Sequence, residues 1–203
     1  MRKKQKNKKI MVVAIALLLL ISIGYAAIST TLTINGTANI AATKWNVHFE
    51  NLNVTSGSVT GDNVTTAPTA PAAGSENIST VALSYNVTLN KPGDYYEFTV
   101  DVVNSGTIDA KIDTDGIIKT IKIGENDLTA AQAKLVDYTV TYSDNSEIAV
   151  GDTLGKNGTA NNGNKRTIKV RVAYKTDISN AELNAVNADM ALTVNFGLNY
   201  VQD

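Results

Sequence analysis

Apolar and polar residues alternate along most of the chain, and the clearest alternation lies between Val81 and Val103. Apolar side chains occupy every second position over residues 81–89 and again over residues 96–102. A period of two is typical of strands with one buried and one solvated face. Between them, Lys91-Pro92-Gly93-Asp94 can reverse the chain, because Pro presets φ and Gly permits positive φ. The two strands therefore form either a hairpin or a crossing from one sheet to another.

Similar short segments recur at regular spacing through the rest of the sequence. Alternation predicts further strands at residues 28–40, 45–50, 108–112, 117–123, 138–142, 168–174 and 190–200, with a turn at Asp113-Thr114-Asp115-Gly116 between two of them. Helix formers predict a short helix over residues 128–136. A capping-box spacing of Ser179 and Glu182 predicts another over residues 179–186.

About eight or nine short strands separated by turn signals indicate one all-β domain over residues 28–203. We predict an antiparallel β-sandwich of jelly-roll or immunoglobulin-like type, with an N-terminal hydrophobic helix and one or two short helices. Two segments lack alternation. Residues 56–76 are rich in Thr, Ala, Gly, Pro and Ser and predict a long exposed loop, and residues 155–164 predict a flexible loop tip.

The N-terminal segment has the features of an export signal. Its first nine residues carry six basic side chains, and residues 10–28 form an uncharged, mostly apolar run. Small residues suit cleavage after Ala26, with Ala27 as the neighbouring choice, at the end of a signal segment of residues 1–27. The run is also long enough for a retained anchor whose basic end stays in the cytoplasm. Either alternative predicts a protein that is secreted or held at the extracellular face of the membrane.

Charge and residue chemistry exclude several classes of function. Residues 28–203 hold 12 Lys and Arg against 19 Asp and Glu, a net charge of −7. An acidic body argues against nucleic-acid binding, and it predicts membrane contact only through residues 10–28. The chain has no Cys and a single His, His48, and it lacks the motifs of hydrolases, zinc proteases and nucleotide-binding proteins. We therefore predict no enzymatic activity, no cofactor and no catalytic or metal site.

Two weaker candidates for chemistry remain. His48 lies on the polar side of a predicted strand, and its ordinary interpretation is an exposed or hydrogen-bonded strand residue rather than a catalytic one. Asp109, Asp113 and Asp115 could offer oxygen ligands to Ca²⁺. Their spacing is not that of an EF-hand, and Asp is common in turns because it bonds its own backbone there. The sequence leaves calcium binding open.

Two stretches resemble a known family. They are GYAAISTTLTINGTANI after the apolar run and YNVTLNKPGDYYEFTVDVVNSGTIDAKI after the loop, and together they look like the TasA/camelysin group of exported Gram-positive envelope proteins. The resemblance covers about a third of the chain. It implies a sandwich that polymerises into extracellular fibres, in which the N-terminal strand of one subunit completes a sheet of its neighbour. Metalloprotease activity, described for some relatives, has no motif in this chain.

The resemblance implies that the N-terminal strand takes part in strand exchange between copies of the chain. Over residues 28–40, Ile28, Thr30, Leu32 and Ile34 share one face, so they are the candidates for strand exchange. Addition to an exposed sheet edge would use main-chain hydrogen bonds for affinity and alternate side chains for register. The same strand could instead pair within its own domain. The expected partner is thus a second copy of the chain, with other envelope proteins also possible. The alternative is a membrane-anchored adhesion module that presents residues 56–76 and 155–164 to a ligand.

Overall fold

The computed structural model describes residues 11–17, 43–69, 80–184 and 190–203. The chain divides into two compact units, Met1–Ala41 and Ala42–Asp203. In the first unit, residues 11–17 form a helix, α1, within the predicted apolar run. All the described strands belong to the second unit.

The second unit is built mainly from strands joined by short connections. In chain order its elements are β1 (Val47–Val54), β2 (Thr80–Leu89), β3 (Tyr95–Asn104), β4 (Ala110–Ile123), β5 (Asn126–Asp127), α2 (Ala130–Leu135), β6 (Val136–Tyr142), β7 (Thr153–Leu154), β8 (Lys165–Tyr174), α3 (Asn180–Asn184) and β9 (Met190–Gln202). Single turns of 3-10 helix lie at Gly61–Asn63 and Ala160–Asn162.

These strands form two antiparallel sheets that pack as a sandwich. One sheet has the order β1-β3-β8-β6, and the other has the order β2-β9-β4-β5, with β7 also paired to β4. Every strand pair is antiparallel. The predicted all-β antiparallel sandwich is therefore confirmed, together with its N-terminal and short helices.

The Lys91–Asp94 turn carries the chain from one sheet to the other, because β2 and β3 belong to different sheets. The Asp94 carboxylate accepts hydrogen bonds from the backbone amides of Asn90 and Lys91, at 3.0 and 3.1 Å. Gly93 has a φ of +94°, which a side chain would strain. Of the two alternatives that the sequence left open, the crossing is correct and the hairpin is wrong.

The predicted turn at Asp113–Gly116 is instead an irregularity within one long strand. β4 runs unbroken through it, and its register against β9 shifts between Ile112 and Ile117. At Gly116 the backbone approaches closely, since an added Cβ would lie 2.7 Å from the Asn199 carbonyl oxygen. The turn-forming residues thus produce a bulge, which inserts extra residues without ending the strand.

The core lies between the sheets, where the apolar positions of the alternating strands meet. Phe49 and Phe196 come from opposite sheets, and their ring centroids are 5.8 Å apart. Tyr85 meets Phe98 edge to face at 5.4 Å, again across the sandwich. Aromatic pairs of this geometry add to the stabilisation from burial. The alternation between Val81 and Val103 therefore identified the centre of the core correctly.

Both predicted short helices are present in the described residues. Thr129 and Gln132 form a reciprocal capping box at the start of α2. Ser179 caps α3, and the Glu182 carboxylate accepts hydrogen bonds from the Ser179 amide and hydroxyl at 3.0 and 2.8 Å. This is the pairing that the sequence spacing predicted. The last two positions of the second predicted helix lie outside the described residues.

Candidate functional site

Edge strands are the places where a sandwich can accept another chain, because their outer N–H and C=O groups lack sheet partners. Among the described strands, β1 and β6 end one sheet, while β2 and the β4 side end the other. Natural proteins protect such edges with bulges, charges, short covering strands or neighbouring loops. The protection of the four edges can therefore be compared.

Three of the edges carry protective features. In β1 the register shifts between Glu50 and Asn53, and Asn51 between them has a φ of +54°. The edge of β2 is covered near its middle, where the Asn86 amide donates to the Thr66 carbonyl oxygen at 2.9 Å. The β4 side has its bulge, and the short strands β5 and β7 cover its two ends.

The fourth edge, β6, lacks these features over most of its length. Its sequence is VDYTVTY, with one charge and no Pro or Gly, and its register against β8 is unbroken. Within the described residues, contacts cover the other side of β6 only over its last three residues, from Val140 to Tyr142. There the Tyr142 amide donates to the Ser146 carbonyl oxygen at 2.9 Å, and Thr141 bridges Glu147.

The direction of the Tyr142 amide shows which groups of β6 face outward. Antiparallel ladders alternate, so the residues two and four before Tyr142 also point their N–H and C=O groups away from β8. Tyr138 therefore presents its N–H and C=O groups at the outer edge, whereas Thr139 bonds across to Arg171 in β8. Val140 presents its N–H there, because the bridge between Thr141 and Glu147 already uses the Val140 carbonyl oxygen. The side chains of Tyr138 and Val140 point into the sandwich, because Tyr138 and Val140 are the partly buried, core-packed members of the strand.

The sandwich is more open beside β6 than at its opposite side. At the β1 and β2 edges, Val47, Phe49, Tyr85 and Val87 are at most 1% exposed. Between the middle of β6 and the part of β4 after its bulge, the inward side chains are only partly buried or exposed. We call this region the β4–β6 cleft and define it by Ile117, Lys119, Ile121, Ile123, Tyr138 and Val140.

Lys119 is the charged member of the cleft. It pairs with Phe196 of β9 and lies between Ile117 and Ile121 in the inward register of β4. Its Nζ is 5.7 Å from the centre of the Tyr138 ring, within the range of a cation–π contact. The Tyr138 hydroxyl donates to the Asn195 carbonyl oxygen at 3.0 Å, and burial raises the pKa of this phenol above its usual range. Tyr138 stays neutral at physiological pH and holds a fixed position beneath Lys119.

A polar cavity of about 730 Å³ lies at one end of the sandwich. Residues 155–163 form much of its wall, and Lys156, Lys165 and Arg166 contribute positive charge. The loop is tied to the sandwich, since the Lys156 amide donates to Asp109 Oδ1 at 2.6 Å and the Asn157 amide to the Gly106 carbonyl oxygen at 2.9 Å. The lack of alternation here thus reflects an irregular, hydrogen-bonded segment.

The other predicted loop is described in part. Over residues 56–69 most side chains are exposed, as predicted, but Pro68 is buried and Thr66 bridges β2. Residues 70–79 lie outside the described part. The candidates Ala26, Ala27, Ile28, Thr30, Leu32 and Ile34 also lie outside it, so cleavage and strand exchange stay predictions.

The remaining candidates for chemistry lie apart from the cleft. His48 is 3% exposed, and its Nδ1 is 3.0 Å from Asn46 Oδ1, which fits a hydrogen-bonded structural role. Asp109 accepts the Lys156 amide, and Asp113 Oδ1 accepts the Thr114 amide at 2.7 Å. The described residues contain no group of three or more acidic, His or Cys side chains placed to hold a metal ion.

No protein-family model matches the sequence, and neither curated proteins nor solved structures give a match. Among the described helices, none has the length and apolarity to cross a membrane. The residue that sequence reasoning overlooked is Lys119. The sequence does distinguish Lys119, because it is the one charged residue among the alternating apolar residues Ile117, Ile121 and Ile123.

Proposed function

We propose that this chain is an exported structural protein of the cell surface or biofilm matrix, whose copies assemble into fibres by N-terminal strand exchange. The observation that carries the proposal is the unprotected edge of β6 beside the β4–β6 cleft. Its incoming partner is the predicted strand of residues 28–40 from a second copy. The resemblance to the TasA/camelysin group motivates the choice of this segment.

The cleft and the predicted strand offer complementary chemistry. The outward N–H and C=O groups of Tyr138 and the outward N–H of Val140 can extend the ladder by one strand, as in other cases of β-augmentation. The apolar side chains of Ile28, Leu32 and Ile34 can cover the partly exposed core. Burial of each such side chain contributes roughly 1.5–3 kcal/mol before the cost of ordering the segment.

Strand exchange of this kind produces open assemblies. The donor segment and the acceptor edge are different surfaces of one chain, so each copy can donate to one neighbour and accept from another. Such heterologous contacts give a filament unless the rotation between copies closes a ring. Export fits this role, because cleavage at Ala26 or Ala27 would leave the donor strand directly behind a free N-terminus.

The proposal is tested with purified residues 27–203 and two point variants. Leu32→Lys places a charge on the face that would enter the cleft, whereas the matched control Thr31→Lys places it on the opposite face. We expect filaments from the parent and Thr31→Lys and monomers from Leu32→Lys, measured by sedimentation and electron microscopy.

Deletion of residues 27–40 should also leave a folded monomer, because the described strands and core all lie after residue 42. If the parent stays monomeric at high concentration and loses nothing on this deletion, the strand-exchange proposal is wrong.

A second candidate function is a membrane-anchored adhesion module, and the polar end cavity favours it. Its wall combines the cations of Lys156, Lys165 and Arg166 and the carboxylates of Asp109 and Asp203 with a loop held in place by hydrogen bonds. Preformed concave sites with a few convergent polar groups are typical of binding sites. The native N-terminus separates the two candidates. A start at Ala27 supports fibre assembly, whereas an intact N-terminus on membrane-associated protein supports the anchored module.

A further inference from the structure

The relative directions of the strands determine how a donor would lie in the β4–β6 cleft. Tyr138 of β6 contacts Asn195 of β9. Tyr142 donates to Asp152, whose carbonyl oxygen accepts the amide of Ile112, and Ile112 pairs with Tyr200 of β9. β6 therefore runs in the same direction as β9, which is antiparallel to β4. A donor antiparallel to β6 would consequently run parallel to β4, on the facing side of the cleft.

The inward face of β4 and the predicted face of the donor have the same order of residue types. Along β4 the inward residues after the bulge are Ile117, Lys119, Ile121 and Ile123. Along the donor they are Ile28, Thr30, Leu32 and Ile34. Each series has its one polar residue in second place. Because the two would run in the same direction, one register brings Lys119 and Thr30 together and pairs apolar residues elsewhere.

We infer that Lys119 is a specificity-determining residue that fixes the register of the incoming strand, with Thr30 of a second copy opposite it. The inference rests on the proposed strand exchange. In this register the Thr30 hydroxyl can accept a hydrogen bond from the Lys119 ammonium group. A slip by two residues would place Leu32 or Ile28 there and bury the ammonium without a hydroxyl to accept its hydrogen bond, which is costly. A slip by one would turn the apolar face outward.

The register makes a specific prediction about neighbouring residues. Lys119 lies over Tyr138, so Thr30 would pair with Tyr138 and Ser29 with Thr139. Tyr138 has its N–H outward, which makes Ser29 and Thr139 a non-hydrogen-bonded pair, with Cα atoms about 4.5 Å apart. That distance permits a disulfide, whereas the diagonal partner Thr31, at about 7–8 Å, is too far away.

Engineered cysteines can measure this register, since the chain has no Cys of its own. In residues 27–203, Ser29→Cys with Thr139→Cys is compared with Thr31→Cys with Thr139→Cys, under mild oxidation. We expect intermolecular ladders on a non-reducing gel from the first pair, at least about tenfold more than from the second. The same comparison is then repeated with Lys119→Met, which keeps the length of the side chain but removes its charge.

With Lys119→Met we expect the preference for the first pair to fall to roughly threefold or less, because a slipped register no longer buries a charge. Lys122→Met is the matched control. It lies on the other face of β4, where it pairs with Thr193, and it should leave the preference unchanged.

Each contrary result points to a different error. Equal cross-linking of the two pairs in the parent would overturn the role of Lys119 and leave strand exchange standing. Filaments without either cross-link would overturn the register that places Thr30 opposite Lys119. A disulfide within single monomers would show that the strand pairs with its own domain, and an absence of assemblies in all variants would overturn the proposed function itself.

Discussion

Proline substitutions in β6 separate the stability of the sandwich from its capacity to accept a strand. The amide of Val140 faces the outer edge, whereas the amide of Thr139 faces β8. Proline removes an amide hydrogen and is tolerated in sheets where that amide faces solvent. Val140→Pro therefore keeps the ladder with β8 intact. We expect it to lower the free energy of unfolding by about 1–2 kcal/mol, because Val140 is only partly buried.

The effect of Val140→Pro on assembly should be larger than its effect on folding. The donor carbonyl that would bond the Val140 amide loses its partner in a closed interface, which costs about 2–3 kcal/mol, or roughly 30- to 150-fold in the critical concentration for assembly. Sedimentation measures that concentration, and chemical denaturation measures stability.

The matched control is Thr139→Pro, which removes an amide from the ladder with β8. It should destabilise the monomer by about 3 kcal/mol, well beyond the effect of Val140→Pro. A folded Val140→Pro variant that assembles at the concentration of the parent would refute the assignment of β6 as the acceptor edge.

Two further predictions concern polar groups within the sandwich. Burial raises the pKa of Asp101, but hydrogen bonds, chiefly from Thr167, outweigh it and hold the pKa below its usual range. Asp101 therefore stabilises the fold above about pH 4, and the stabilisation is lost as the pH falls through the lowered pKa. Asp101→Asn should cost about 1–2 kcal/mol at neutral pH, and urea denaturation should show this difference shrinking in acid. The hydroxyl of Tyr85 is buried without a protein partner among the described residues, whereas that of Tyr142 donates to Asp152 Oδ2 at 2.8 Å. Thermal or chemical denaturation should show Tyr85→Phe neutral or stabilising by about 1 kcal/mol, and Tyr142→Phe destabilising by about 1–2 kcal/mol; equal losses would contradict this reasoning.

The sequence predicts the strands well because alternation directly reports burial on one face. Residues 81–103 show this most clearly. The alternating apolar residues from Leu83 to Leu89 and from Tyr96 to Val102 are all buried in the core. The sequence does not predict which sheet each strand belongs to, because the Lys91–Asp94 turn is compatible with a hairpin within one sheet and with a crossing between two sheets. The choice between hairpin and crossing depends on pairing between strands that are distant in sequence. The local pattern of apolar and polar residues does not show this pairing.

The errors of prediction also have local causes. Asp113-Thr114-Asp115-Gly116 has the composition of a turn, yet β9 pairs with β4 on both sides of it and converts it to a bulge. The candidate acceptor could be predicted only in part. Lys119 stands out in an apolar register, but the protection of the other edges depends on contacts such as that of Thr66 with Asn86, which only the fold reveals.

The central claim is tested most directly by amide hydrogen exchange in β6. Residues 27–203 are separated into monomers and filaments, and exchange of individual amides is compared between the two forms. The amides of Tyr138 and Val140 should exchange rapidly in the monomer and slowly in the filament, because a donor strand would bond them only on assembly. The amide of Thr139 should be protected in both forms by the ladder with β8. Filaments in which Tyr138 and Val140 still exchange as fast as in the monomer would contradict the account.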